Sequence, residues 1–382
     1  MSQIAYFNNA ATTYPKPEKV YEFADKFYRQ SGVNSGRGQI NSATKLTSAT
    51  REMLLDLFHA KNKRVVFTPS ATEAINIILR GLPLTDNYTV YVSPFEHNAV
   101  IRTLHYLQGI YKINVVTLAV EEGTLRYDVE KIKYQFSEVP PNLVIVSHAS
   151  NVCGVVAPIQ ELCTMSHSYG AINVIDMCQT AGLIDIDLSG AIYDFVVFAG
   201  HKTLYATFGI AGFICNGDIV LEPLIFGGTG IDSANPDVPS TIPERYEIGS
   251  QNILGIAGLY AALEWNKEIG ISNIYAKEQD NHNKLLTILK KYENIKVILP
   301  ADDVQTVGVV SCVFDGYSSD NIGQILSEQG IEVRTGLHCA PTAHKFLGTF
   351  PAGTVRFSVG YFNTNKDFEK LDDALEYICE NS

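Results

Sequence analysis

Ile172-Asn-Val-Ile-Asp176 and Phe195-Val-Val-Phe-Ala-Gly-His-Lys202 decide how this chain is read. Each is a short, nearly unbroken apolar run rich in β-branched residues, the pattern of a parallel strand covered on both faces. The first ends on a carboxylate and the second on a His-Lys pair. Outward from them, Arg64–Phe67, Thr89–Val92, Asn114–Thr117 and Leu143–Val146 repeat the strand pattern. Between these, Ala71–Arg80, Glu96–Gln108, Val129–Phe136 and Pro158–Tyr169 carry helical spacing. This βαβ alternation predicts a doubly wound α/β sheet with its ligand site at the C-terminal strand ends. Ile210–Cys215 follows too quickly for a crossover, so it is expected to pair antiparallel.

The pattern changes after Gly230. Residues 231–243 hold Pro236, Pro239 and Pro243 and read as an extended loop. A long helical stretch follows from Ile253 through Trp265 towards Lys291, then strand candidates at Lys296–Leu299, Gly308–Phe314, Val333 and Val355–Val359. Two domains are expected: a large one over residues 16–254, and a smaller α+β one made of 1–15 and 255–382. With 382 residues, 46% hydrophobic and 18% charged, the chain can bury a large core without covalent staples. Its net charge of −12 argues against a nucleic-acid binder, which needs clustered Lys and Arg. The seven cysteines lack any Cys-x-x-Cys or zinc-ligand spacing, so neither a disulfide framework nor a metal site is expected. There is no signal-peptide pattern and no apolar run long enough to span a membrane, which suggests a cytoplasmic protein with reduced thiols.

An acid and an amine at neighbouring strand ends, Asp176 and Lys202, are the pair that pyridoxal 5'-phosphate requires. The lysine forms the Schiff base, and the carboxylate keeps the pyridine nitrogen protonated. From these two residues alone, a buried ion pair or a solvated loop lysine is the somewhat stronger reading. Further strand ends add to the case. Thr68-Pro-Ser-Ala-Thr-Glu-Ala74 opens a helix and suits an anion. Ser93-Pro-Phe-Glu-His97 can place an imidazole over a flat ring, and Ser147-His-Ala-Ser-Asn151 offers an amide. Singly they read as a helix cap, a packed histidine and a polar turn. Their recurrence after successive strands is the signal.

Asn8-Asn-Ala-Ala-Thr-Thr13, Ser70-Ala-Thr-Glu-Ala74, Glu96-His-Asn98, His148-Ala-Ser-Asn151, Asp176-Met-Cys-Gln179 and Gly200-His-Lys202 stand in one order along the chain. Phe226-Gly-Gly-Thr-Gly230, Arg334-Thr-Gly-Leu-His-Cys-Ala340 and Val355-Arg-Phe-Ser358 complete the set. From about residue 5 to 365 the chain resembles class V pyridoxal-phosphate enzymes, and within them the cysteine desulfurase and selenocysteine lyase group. The resemblance implies fold type I with a mostly parallel seven-stranded sheet. It also implies Lys202 as the Schiff-base lysine, Asp176 as partner of the pyridine nitrogen, Gln179 on the phenolic oxygen and His97 stacked on the ring. Ala71, Thr72 and His201 would hold the phosphate, and Thr229 would reach the phosphate of the other subunit in a homodimer with shared sites. Asn151 and Arg356, with Arg334 nearby, would bind the carboxylate of an amino-acid substrate. Cys339 would be the nucleophile, taking sulfur from L-cysteine as a persulfide, releasing alanine and passing the sulfur to an acceptor, which could be a protein.

Independently of that likeness, Arg334 and His338 lie close to Cys339 in sequence and would favour its thiolate. The other six cysteines read as small buried hydrophobes. Three positions depart from the resemblance. Ala199 stands where many relatives have a serine, Thr203–Gly209 lacks a Gly-Pro, and Ile40 takes the place of a histidine. Selenocysteine lyase, cysteine sulfinate desulfinase or aminotransferase activity, and a non-catalytic accessory role, remain the alternatives.

Overall fold

A computed structural model describes residues 4–30, 42–229 and 234–380. In chain order, the strands are β1 (Ala5–Tyr6), β2 (Arg64–Thr68), β3 (Thr89–Val92), β4 (Asn114–Thr117), β5 (Leu143–Ser147), β6 (Ile172–Asp176), β7 (Phe195–Ala199) and β8 (Ala211–Cys215). They continue with β9 (Ile295–Ile298), β10 (Val309–Phe314), β11 (Ile331–Glu332), β12 (Arg334–Gly336) and β13 (Thr354–Ser358). The main sheet has seven strands in the order β2-β8-β7-β6-β5-β3-β4. Strands β4, β3, β5, β6 and β7 run parallel, whereas β8 is antiparallel to both of its neighbours. The α/β expectation and the antiparallel placement of the 210–215 segment both hold.

Burial explains why the strands read as continuous apolar runs. Along β7, Val196 and Phe198 enter the core on one face of the sheet. Phe195, Val197 and Ala199 enter the core on the other. Successive side chains point to opposite faces, so both sets must be apolar once helices cover both sides. Gly212 lets β8 lie between β2 and β7, because a Cβ there would fall 2.1 Å from the Val66 carbonyl oxygen and 2.9 Å from the Phe198 ring.

A second sheet, β12-β13-β10-β9, is antiparallel throughout. It packs with the helices Ile271–Leu289 and Asn365–Glu380 around Leu285, Val310, Cys312, Phe357 and Leu371. The N-terminal β1 pairs in parallel with β11, Ala5 opposite Ile331. Residues 5–6 thus lie against the last third of the chain.

Two expectations need correction. The helical stretch from Ile253 towards Lys291 is two helices, Ile253–Ile269 and Ile271–Leu289. They break at Gly270, whose φ of 87° lies outside the helical region. The helix expected from Glu96 begins at Asn98, with His97 as its N-cap. Ile40 lies outside the described residues.

Candidate active site

The C-terminal ends of β3, β5, β6 and β7 meet the N-terminus of helix Ala71–Gly81 around a cavity of about 220 Å³. Ala71, Thr72, His97, Asn151, Asp176, Gln179, His201 and Lys202 all line it, and so does Ala199. Eight of the site residues picked out in the sequence therefore line one cavity. Ser147 is paired opposite Asp176 in the sheet register, and the Asp176 carbonyl accepts the His148 N–H at 2.9 Å. The Asp176 carboxylate is buried, and its Oδ1 accepts the Cys178 N–H at 2.9 Å. Beside it, burial pushes the His148 ring down to about 4, so this imidazole is neutral.

Ser70 caps the helix by accepting the Glu73 N–H at 3.2 Å, which leaves Ala71 and Thr72 at the cavity. An exposed helix start with free N–H groups attracts anions. His97 caps the next helix through Nδ1, which accepts the Ala99 N–H at 3.0 Å. That bond assigns the ring proton to Nε2. Burial, and then the charge of Lys202, hold the imidazole below the usual histidine range. His201 stacks on Phe208 with centroids 4.6 Å apart, and its Nδ1 has no hydrogen-bond partner. Burial, with Lys202 and Lys16 adding to it, lowers the His201 ring to about 3. Gln179 is anchored by its Nε2, which donates to the Ala10 carbonyl at 2.9 Å.

Arg356 stands behind Asn151 and not on the cavity wall. Its Nη1 donates to the Asn151 carbonyl at 2.9 Å and its Nη2 to Asn8 Oδ1 at 3.2 Å, while Nε is unpaired. Burial first, and then Arg334, lower this guanidinium to about 10, which leaves it charged at neutral pH. Asn151 donates from Nδ2 to the His338 carbonyl at 2.7 Å, and its Oδ1 is buried without a partner. Arg334 is exposed and outside the cavity lining, although it sits opposite Arg356 in the register of β12 and β13. Thr229 also lies outside the lining, half-buried at the end of a loop whose Phe226 is 72% exposed.

Cys339 is exposed and opens into an adjoining chamber of about 410 Å³ that shares Thr72, His97 and Ala99 with the first. His338 and Cys339 have φ of 48° and 58°, two successive left-handed residues. The Cys339 carbonyl accepts the Asn98 N–H at 2.7 Å, and His338 Nε2 pairs with Thr354 Oγ1 at 2.8 Å. Such backbone costs on the order of 1 kcal/mol per residue and persists where the surroundings impose it. All seven cysteines are free; Cys153, Cys163, Cys178, Cys215 and Cys312 are buried, and Cys379 is half-buried. Burial raises the thiols of Cys153, Cys163, Cys178, Cys215 and Cys312.

Sequence reasoning missed Glu96 and Lys16. Glu96 is fully buried and accepts from Ser93 Oγ at 2.5 Å, the Ser147 N–H at 2.7 Å and Ser147 Oγ at 2.9 Å. Burial nonetheless pushes its carboxyl up to about 7. The signal was a charged residue between a buried strand and a helix start. Among the described residues, no group of three His, Cys, Asp or Glu is placed to hold a metal ion, and no helix is long and apolar enough to cross a membrane.

Residues 5–371 match the profile of the family described as aminotransferase class-V. The chain belongs to the class-V aminotransferase family. This member is 30% identical to a probable cysteine desulfurase of Methanothermobacter thermautotrophicus, over 97% of this chain and 94% of the relative. It is similar in structure to a cysteine desulfurase of Thermococcus onnurineus, with a TM-score of 0.90, 26% identity, and 99% and 95% of the two chains covered. A cysteine desulfurase of Escherichia coli gives a TM-score of 0.87 at 26% identity, with 99% and 95% covered.

Proposed function

We propose that this class-V family member is a pyridoxal-phosphate-dependent cysteine desulfurase. The observation that carries the reading is the exposed thiol of Cys339 opening beside a cavity that holds Lys202 and Asp176 together. The cavity residues fit the cofactor: the N–H of Ala71, Thr72 and the unpartnered Nδ1 of His201 suit a phosphate. Asp176 would hold the pyridine nitrogen, Gln179 the phenolic oxygen, and the neutral ring of His97 would lie on the face. When bound, the cofactor supplies an electron sink for cleavage at the substrate's Cα.

This chain's residues then do the rest. Lys202, on a fixed turn, removes the Cα proton as a general base. Arg356, charged and with an unpaired Nε, orients the substrate carboxylate with Asn151. The Cys339 thiolate attacks the substrate sulfur; the new S–S bond forms as the Cβ–S bond breaks, its electron pair going to carbon. Protonation there, and return of a proton from Lys202 to Cα, release alanine and leave a persulfide on Cys339. An acceptor thiol, small or on a protein, removes the outer sulfur. Such a thiol stays usable in a reducing compartment, which suits the cytoplasm.

The proposal includes a homodimer in which Thr229 reaches the partner's phosphate site. The exposed Ile225 and Phe226 on the loop before it support this. It also divides the chain into residues 16–254 and a smaller unit of 1–15 with 255–382, supported by the pairing of β1 with β11.

The test is the protein loaded with pyridoxal phosphate and given L-cysteine with a reductant. Sulfide and alanine in equal amounts are expected, with both lost in Cys339→Ala. Production of neither by the wild type overturns the reading. Selenide or sulfite released from selenocysteine or cysteine sulfinate at a far higher kcat/KM reassigns the substrate.

A further inference from the structure

We propose that Lys16 is a positioning residue for Lys202, its buried ammonium holding the turn that carries the lysine and setting the local charge. Lys16 is only 8% exposed. Its Nζ donates to the His201 carbonyl at 2.6 Å, to Thr13 Oγ1 at 2.7 Å and to Thr12 Oγ1 at 3.4 Å. All three N–H bonds are thus spent on neutral oxygens, and no carboxylate pairs with it among the described residues. Burying an unpaired charge is costly, and an apolar side chain of similar length would fill the space without that cost. Burial pushes this ammonium down to about 7.

The atoms it holds explain what it does. The His201 carbonyl belongs to the peptide that leads into Lys202. Thr12 Oγ1 donates to that same carbonyl at 2.9 Å, and Thr13 Oγ1 donates to the Lys202 carbonyl at 2.9 Å. Further back on this segment, Asn8 meets Arg356 and Ala10 meets Gln179. Lys16 is therefore the pin at the end of a strap that touches four residues of the site. The titratable groups around the pair are His201 on the same turn, and His97, Asp176 and Cys178 at neighbouring strand ends. The Tyr21 hydroxyl accepts the backbone N–H of Lys16 at 3.0 Å.

The inference rests on Lys202 being the cofactor lysine. The experiment is a pH titration of the visible band of the bound cofactor in the full-length loaded protein, comparing wild type with Lys16→Met and Lys16→Gln. Removing a nearby positive charge favours the protonated chromophore, so its midpoint should rise by about half a pH unit or more in both variants. In Lys16→Met, kcat should fall about tenfold with KM little changed, as for a lost transition-state interaction. Lys16→Gln keeps one donor for the His201 carbonyl and should recover part of kcat without recovering the midpoint. Unchanged midpoints and kcat in folded variants overturn the inference alone. If neither variant folds, Thr13→Val, which removes one acceptor of the ammonium, must shift the midpoint in its place; no shift there overturns it equally. Failure of borohydride to fix the cofactor's mass on Lys202 in the wild type overturns the inference and the reading beneath it together.

Discussion

At the scale of single residues, the strand ends were legible and the residues behind them were not. Asp176 and Lys202 could be placed at the cavity because burial on both sheet faces writes an apolar run that stops there. Asn8, Glu96 and Lys16 act through partners that no local pattern reveals; Asn8 meets Arg356 across 348 positions. Buried carboxyls invite a direct test. Glu278 is 4% exposed, accepts the Gly308 N–H at 2.9 Å, and is pushed by burial from 4.5 to about 7. A raised carboxyl pKa means the folded state binds more protons than the unfolded one between those values, so stability falls as pH rises through the window. Glu278→Gln keeps the acceptor for Gly308 and removes the titration. Denaturant unfolding should show the variant gaining on the wild type by on the order of 2–3 kcal/mol between pH 4.5 and 7.5. A constant difference across that range would refute the assignment.

At the scale of elements, seven strands matched their expected positions closely because their content is apolar and β-branched, whereas breaks and caps were harder to read. A single glycine is tolerated inside helices often enough that Gly270 gave no clear boundary. His97 is an uncommon N-cap, so the sequence pattern puts the start of its helix two residues early. Where glycine is demanded by contact, the consequence is measurable. Gly212→Ala must push apart β2, β7 and β8, and should cost about 3 kcal/mol in chemical denaturation. Gly123→Ala, with nothing within 4 Å of the added methyl, should stay within about 0.5 kcal/mol of wild type. Equal costs would show that the sheet relaxes around the added atom.

At the scale of the whole molecule, composition excluded broad classes and said little about the site. A net charge of −12 coexists with Lys202 on the cavity and with Lys16 and Arg356 bonded to the lining residues His201 and Asn151. The proposed shared site carries a prediction for assembly. Sedimentation should report a dimer at micromolar concentration, and Thr229→Val should weaken pyridoxal phosphate binding about tenfold, the worth of one hydrogen bond to a charged group. A monomer with wild-type affinity would remove Thr229 from the site.

The pairing of β1 with β11 has a consequence for how the protein is made. A ribosome delivers Asn8 348 residues before Arg356, yet the two are hydrogen-bonded in the folded protein. The parallel sheet can fold while synthesis continues, since domains generally form as their chain emerges. Only β1 and Asn8 must wait until Ile331 and Arg356 have been made, whereas Thr12, Thr13 and Lys16 bond residues made earlier. Cofactor capture in the cell is therefore expected to follow synthesis of β13, and a nascent chain halted before β13 should fold its large sheet yet remain colourless.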